Sequence, residues 1–404
     1  MNARNSSLTI CLLLWLVFFW QGIVSSQVVS ADSSGFDSLR PANISFENLP
    51  INAPPNLVAV IPSEGRNFIL SPDDRWLLLS EGSLSQGFGQ ILNVRKLKLI
   101  DTKTWQQVAF SPAKAGRDSP YQFRAVFSPN GQLMFTASSS NSTWEHSLQL
   151  WDMSGALPRL IAFFHISSRL DKEVFRSWRH LSYSGSRTNI VSNSGRILIS
   201  SRDRTALLSV EGDQLVIDVD APVGGELVTV SEDFERVSFL KKSGELWGYE
   251  VNSDTLTGIR KTKIAQATGG GRIDFDNASV DPSGLALLAT DSKRGACFWS
   301  RLGQESSKAH ILPDPLSRPE QRKIYGRRAL SADGGHFTLT DSDGEQTVTD
   351  VYDQSGTRVL TFSHELPVEY NVRVLPSSDC GYLLVSDHDD TTGYRLLIYR
   401  VGEQ

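Results

Sequence analysis

The stretch Ala125-Val126-Phe127-Ser128-Pro129-Asn130-Gly131-Gln132-Leu133-Met134-Phe135-Thr136 sets a four-residue turn between two short apolar runs. Proline at the second turn position presets φ for a type I turn, and glycine at the fourth supplies the positive φ that closes it. Short β-forming runs bounded by Ser, Pro, Asp and Gly read as strands, and unbroken apolarity means burial on both faces. Related turns stand at Ser71-Pro72-Asp73-Asp74, Ser192-Asn193-Ser194-Gly195 and Ser231-Glu232-Asp233-Phe234. Three more follow at Asp281-Pro282-Ser283-Gly284, Ser331-Ala332-Asp333-Gly334 and Ser378-Asp379-Cys380-Gly381. Successive turns begin 57, 64, 39, 50, 50 and 47 residues apart, close to the period of about 40–50 residues of propeller blades.

A third strand follows the pair in most copies, as in Leu97-Lys98-Leu99-Ile100-Asp101, Leu148-Gln149-Leu150-Trp151-Asp152 and Glu245-Leu246-Trp247-Gly248-Tyr249-Glu250. A fourth short strand is read at Gln107–Phe110, Arg159–Phe163 and Arg358–Phe362. Seven units of four strands, each too small to bury its own faces, predict an all-β, seven-bladed β-propeller over residues 57–404. The phrase Phe127-Ser128-Pro129-Asn130-Gly131 with Leu148-Gln149-Leu150-Trp151-Asp152 resembles the degenerate WD-repeat-like propeller superfamily, including its exported bacterial-type members. Only the second unit keeps the Trp-Asp pair, and none opens with the Gly-His dipeptide that begins the family's repeats. The chain stops soon after the third strand of the last unit, Leu396-Leu397-Ile398-Tyr399-Arg400. An unpaired outer edge invites aggregation, so Leu57-Val58-Ala59-Val60-Ile61 is expected to pair there and close the ring.

The ends and the composition bound the function. Arg4, the apolar run Leu8–Trp20 broken only by Thr9, and small residues at Val24-Ser25-Ser26 and Val29-Ser30-Ala31 have the pattern of a secretory signal. Cleavage is expected after Ser26 or Ala31, followed by a flexible segment over 32–55. The product would be secreted or periplasmic, without a stable membrane span; the alternative is anchoring by an uncleaved signal, although the run is short of the roughly 20 residues a span needs. Forty basic against 45 acidic residues, a net charge of −5, argue against nucleic acid as a partner. Outside the signal only Cys297 and Cys380 remain, two blades apart in the repeat register. They are expected to be unpaired thiols. A monomer is expected.

In a propeller the first-to-second and third-to-fourth strand connections emerge on one face and the others on the opposite face. The seven turns are tight, whereas Glu81–Val94, Ser138–His146, Phe164–Thr188 and Lys263–Asp276 are long and fall opposite them. Long irregular connections are uncommon unless functional or disordered. Candidate binding residues on that face are Arg176, Trp178, Arg179 and His180, a basic and aromatic group suited to anionic or carbohydrate-like surfaces, with Arg328 and Asp387. Asp387-His388-Asp389-Asp390 reads as a polar loop of the last unit, lacking the alternating acidic order of a calcium loop. No Gly-x-Ser-x-Gly, His-Glu-x-x-His or phosphate-loop motif is present, and no metal or cofactor is expected. The reading is an exported, non-catalytic scaffold for a protein or cell-envelope partner. The rival is a propeller hydrolase, lactonase or lyase with His180, Arg328, Asp291 and Asp387 converging at the channel mouth.

Overall fold

The apolar runs that flank each turn form antiparallel strands, and within each set below, each strand pairs with the next in sequence. Strand β1 (Leu57–Pro62) comes first. The first four-stranded set is β2 (Asn67–Leu70), β3 (Trp76–Gly82), β4 (Gln90–Asp101) and β5 (Gln106–Val108); the second is β6 (Tyr121–Phe127), β7 (Leu133–Ser139), β8 (Glu145–Asp152) and β9 (Arg159–Ser167). The third is β10 (Ser186–Val191), β11 (Ile197–Ser201), β12 (Thr205–Glu211) and β13 (Gln214–Ala221); the fourth is β14 (Leu227–Val230), β15 (Arg236–Leu240), β16 (Glu245–Val251) and β17 (Leu256–Lys263). Then come β18 (Ile273–Val280), β19 (Leu287–Asp291), β20 (Gly295–Ser300) and β21 (Lys308–Leu312), and the sixth set, β22 (Arg327–Leu330), β23 (His336–Ser342), β24 (Thr347–Asp353) and β25 (Arg358–His364). The last is β26 (Arg373–Pro376), β27 (Tyr382–Asp389) and β28 (Gly393–Arg400). The computed structural model describes residues 56–62, 67–82, 90–112, 121–139, 145–167, 186–201, 204–223, 227–231, 234–240, 245–252, 256–263, 273–280, 286–291, 295–300, 308–312, 327–342, 347–364, 373–389 and 393–401.

The missing outer strand of the last set comes from the other end of the chain, as expected. Strand β1 lies antiparallel to β28, with Leu57 opposite Tyr399, Ala59 opposite Ile398 and Ile61 opposite Leu396. Its alternate side chains feed two clusters. Ala59 and Ile61 pack with Phe68, Leu70, Leu384 and Ile398, while Leu57 and Val60 pack with Val351, Leu383 and Tyr399. Strands from opposite ends of the chain thus close one blade of a β-propeller, and the outer edge of β28 is covered.

The strands are apolar throughout because each blade is covered on both faces by its neighbours. Trp76, Leu77 and Leu78 are consecutive and all fully buried. Trp76 and Leu78 meet Phe123, Phe127 and Met134 of the second blade, and Leu77 meets Leu384 and Ile398 of the last. Comparable clusters join Phe135 and Leu150 to Ile197 and Leu208, and Ile190 and Leu207 to Val237 and Phe239. Each fully buried side chain of this size contributes roughly 1.5–3 kcal/mol of burial free energy. Most of that is offset by the conformational entropy lost on folding. The third blade, whose third strand has no aromatic–acid ending in the sequence, completes itself with β12 and β13 in a two-residue hairpin.

The turns share one hydrogen-bonding device. In the first, the Ser71 N–H donates to the Trp76 carbonyl, the Asp74 N–H donates to the Ser71 carbonyl, and the Trp76 N–H donates to Ser71 Oγ. Ser71 Oγ in turn donates to Asp73 Oδ1. The pattern recurs with Ser128 and Asn130, with Ser331 and Asp333, and with Ser377 and Asp379. It satisfies a serine hydroxyl that is almost wholly buried in all four. The seventh turn therefore runs Ser377-Ser378-Asp379-Cys380, one residue earlier than the sequence suggests. The device needs its acceptor two residues after the serine, which Ser377 has and Ser378 lacks.

The shift places Cys380 at the left-handed fourth position, φ 56°, where Gly131, Gly195 and Gly334 stand in other turns. Asp74 and Phe234 occupy the same position at φ 56° and 60°. Gly131 has a second constraint: a Cβ there would lie 2.5 Å from Asp73 of the neighbouring turn. The turn Asp281–Gly284, the signal segment and the segment 32–55 lie outside the described residues.

Candidate binding face

Opposite the tight turns, the inner strands end where the longer connections begin. Counting back four residues from each turn serine reaches Asn67, Arg124, Thr188, Leu227, Arg327 and Arg373. Arginine thus recurs in the inner strands of the second, sixth and last blades. This register is invisible until the seventh turn is assigned to Ser377, because counting from Ser378 misses Arg373. The missed signal was the hydroxyl-to-carboxylate spacing, not the glycine.

One of these arginines is committed to a seam, and another is buried. Arg373 donates from Nη1 to the Phe68 carbonyl at 3.1 Å, and its guanidinium lies 5.2 Å from the Phe68 ring centroid. The Arg373 backbone N–H donates to Ser386 Oγ. Burial lowers its pKa from the ordinary arginine value. Arg124 is only 7 % exposed, and burial pushes its pKa down to about 10, which still leaves it charged at neutral pH. Both place buried positive charge in the inner strands of their blades.

One of the connections at that end is shorter than the sequence suggests: of Glu81–Val94, residues 81–82 end β3 and residues 90–94 begin β4, while 83–89 lie outside the described residues. The first residues of β4 cross to the second blade, pairing Gln90 with Arg124, Ile91 with Phe123 and Val94 with Tyr121. Strand β6 then has β7 on one edge and β4 on the other. The inner, channel-side edge of the second blade is therefore covered by chain from the first. Ser138–His146 likewise shrinks, since β7 runs to Ser139 and β8 begins at Glu145.

The sequence-based site residues fare unevenly. Arg176, Trp178, Arg179 and His180 lie outside the described residues. Arg328 sits in β22 opposite Leu339, and Asp387 sits in β27 opposite Arg395. The expected polar loop around Asp387 is thus a strand. Asp387, His388 and Asp389 continue the β27–β28 ladder to Gly393, because the pairing extends as far as the short connection allows. Asp291 ends β19 opposite Ile273 and Gly295. The convergence of His180, Arg328, Asp291 and Asp387 lies partly outside the described residues. Among those described, no group of three or more His, Cys, Asp and Glu side chains could hold a metal ion. Cys380 is a free thiol, pushed up to about 11 by burial and by the carboxylates of Asp333, Asp379 and Asp74. No helix among the described residues is long and apolar enough to cross a membrane.

At the loop-bearing end of the sixth blade, a buried polar chain crosses three strands. Thr340 Oγ1 meets Thr349 Oγ1 at 2.9 Å, which meets His364 Nε2 at 2.8 Å. Nδ1 of His364 is buried without a hydrogen-bond partner. Burial pushes its pKa down to about 4, so the ring is neutral at pH 7 and serves as packing against Phe362 and Tyr399.

No protein-family model matches the chain, and no curated protein matches it. Among solved structures it resembles the β-propeller domain of Cps50 (Swd1) from Myceliophteria thermophila, with a TM-score of 0.54 over 86% of this chain and 100% of that one. Identity over the match is 13%, so the likeness establishes the fold alone. The chain therefore has the β-propeller fold.

Proposed function

We propose that this chain is an exported, non-catalytic scaffold that receives a protein or cell-envelope partner on the face carrying the long connections. The observation that carries the reading is the asymmetry of the two faces. On one, tight turns use their polar groups on themselves and on each other. On the other, connections of very different lengths leave the strand ends. Variable loops on a rigid frame are the usual place for recognition. The signal-like N-terminus motivates the secreted or periplasmic location. The arginines of the inner strands favour a partner surface with acidic groups.

The test has two arms. Fractionation with N-terminal sequencing of the mature chain should find it outside the cytoplasm, beginning after Ser26 or Ala31. Cross-linking mass spectrometry on the intact chain in its native fraction should place partner cross-links on the connections at 168–185, 264–272 and 313–326. Cross-links confined to the turn face, or turnover of lactone or glycan substrates lost on mutating Asp387 or Arg328, would overturn the reading.

A further inference from the structure

The ring closes where the first and last blades meet, and at the turn face that seam is bridged by a carboxylate. The Ser378 N–H donates to Asp74 Oδ2 at 2.7 Å, and Ser378 Oγ donates to the Pro72 carbonyl at 2.7 Å. The other oxygen of Asp74, Oδ1, is buried without a hydrogen-bond partner. A carboxylate in water would have both oxygens solvated, so ionisation here leaves half of the charge uncompensated.

The surrounding charges do not relieve it. On its own turn, Asp73 accepts from Ser71 Oγ, and Arg75 turns away to donate to the Ser154 and Gly155 carbonyls of the second blade. The sixth blade contributes Asp333 and His336, and the last contributes Asp379 and Cys380. From the β4–β5 connection, Thr102, flanked by Asp101 and Lys103, donates its hydroxyl to the Asp74 carbonyl. Among the described residues none forms an ion pair with Asp74.

We infer that Asp74 is a proton-operated latch on the closing seam: neutral, it is buried at little cost near Asp379 and Asp333, and ionised, it adds a third negative charge whose burial favours opening of the seam, even though the Ser378 N–H holds the anion. Burial, helped by repulsion from Asp379 and Asp333 and opposed by the Ser378 N–H bond, pushes the carboxyl up to about 6. Asp379 does not share the proton readily, since the Ser377 hydroxyl and the Gly381 N–H hold it below the ordinary range. The folded-state pKa lies above the unfolded one. The seam's contribution is therefore full below about pH 4, is lost as pH rises toward about 6, and stays lost above it.

The test compares denaturant unfolding of the intact wild-type chain and Asp74→Asn at half-unit steps from pH 4 to 7.5. Asparagine tolerates the left-handed backbone and keeps an acceptor for Ser378. Subtracting the variant's curve removes the titration of every other group. The expected result is a wild-type folding equilibrium that weakens relative to the variant by on the order of tenfold between pH 4 and 7, allowing for the carboxyl's partial exposure. Hydrogen exchange at the Ser378 amide, corrected for its intrinsic pH dependence, should quicken over the same interval in wild type only. Should Asp74→Asn not fold, Asp333→Asn should move the wild-type transition to lower pH. Parallel stability curves with unaltered exchange, or an Asp333→Asn transition that stays in place, overturn the latch.

Discussion

The two faces of this propeller answer the same problem, ending a strand, in opposite ways. On the turn face the described turns repeat a serine-centred network, and some neighbouring turns bond one another. Asn193 Oδ1 accepts from the Asn130 N–H across the second and third blades, and Asp74 accepts from Ser378 across the last and first. On the loop face the described blade ends differ from one another. The first sends β4 across to its neighbour, and the sixth buries a threonine–threonine–histidine chain. A surface that must stay the same in every unit is built by repetition, whereas a face that need not repeat is free to differ unit by unit.

The largest blow to the turn face should come from Phe234→Ala. The ring is 2 % exposed and packs with Val237, Phe239 and Leu256. A loss of about 3–4 kcal/mol is expected in denaturant unfolding, within the usual range for truncating a buried phenylalanine. Next is His364 on the loop face, whose pH response should run opposite to that of Asp74. Its folded pKa is depressed, so its contribution is full above about 6.5 and is lost as pH falls toward about 4, by on the order of 2–3 kcal/mol. Comparing wild type with His364→Gln at pH 7 and pH 4.5 should show the acid loss in wild type only. Acid thus tightens one face and weakens the other; a loss of the same sign at both sites would break the contrast.

Smaller effects sharpen it. Ser71→Ala removes the acceptor for the Trp76 N–H and the donor to Asp73, and should cost about 1–3 kcal/mol because the site is buried. Cys380→Gly should stabilise by about 0.5–1 kcal/mol, since glycine occupies the left-handed region without the Cβ penalty. Smallest of all, a Gly-Ser insertion in 168–185 should change stability by less than about 0.5 kcal/mol while altering the partner cross-links. A cost comparable to Phe234→Ala would show that this connection belongs to the frame.

Sequence and structure agree most closely where a physical signal is local. The turn serines, the strand pairs around them and the role of Leu57–Ile61 in closing the last blade follow from turn chemistry, apolar runs and the need to cover an edge. The seventh turn was misread because a glycine at 381 mimics the usual fourth residue, while the hydrogen-bonding geometry selects Ser377. Asp387–Asp389 reads as a loop because acidic residues disfavour strands in isolation. The ladder to β28 overrides that preference once the neighbouring residues are paired.

By itself, the sequence determined the all-β repeat, the tight face and the origin of the closing strand, because period and turn residues are properties of short segments. Only the tertiary structure decided which charges share a seam. Arg373 meets Phe68, and Asp74 meets Ser378, about 300 residues apart along the chain. Whether a carboxylate is buried beside two others depends on how the ends of the chain come together, and no local pattern records that.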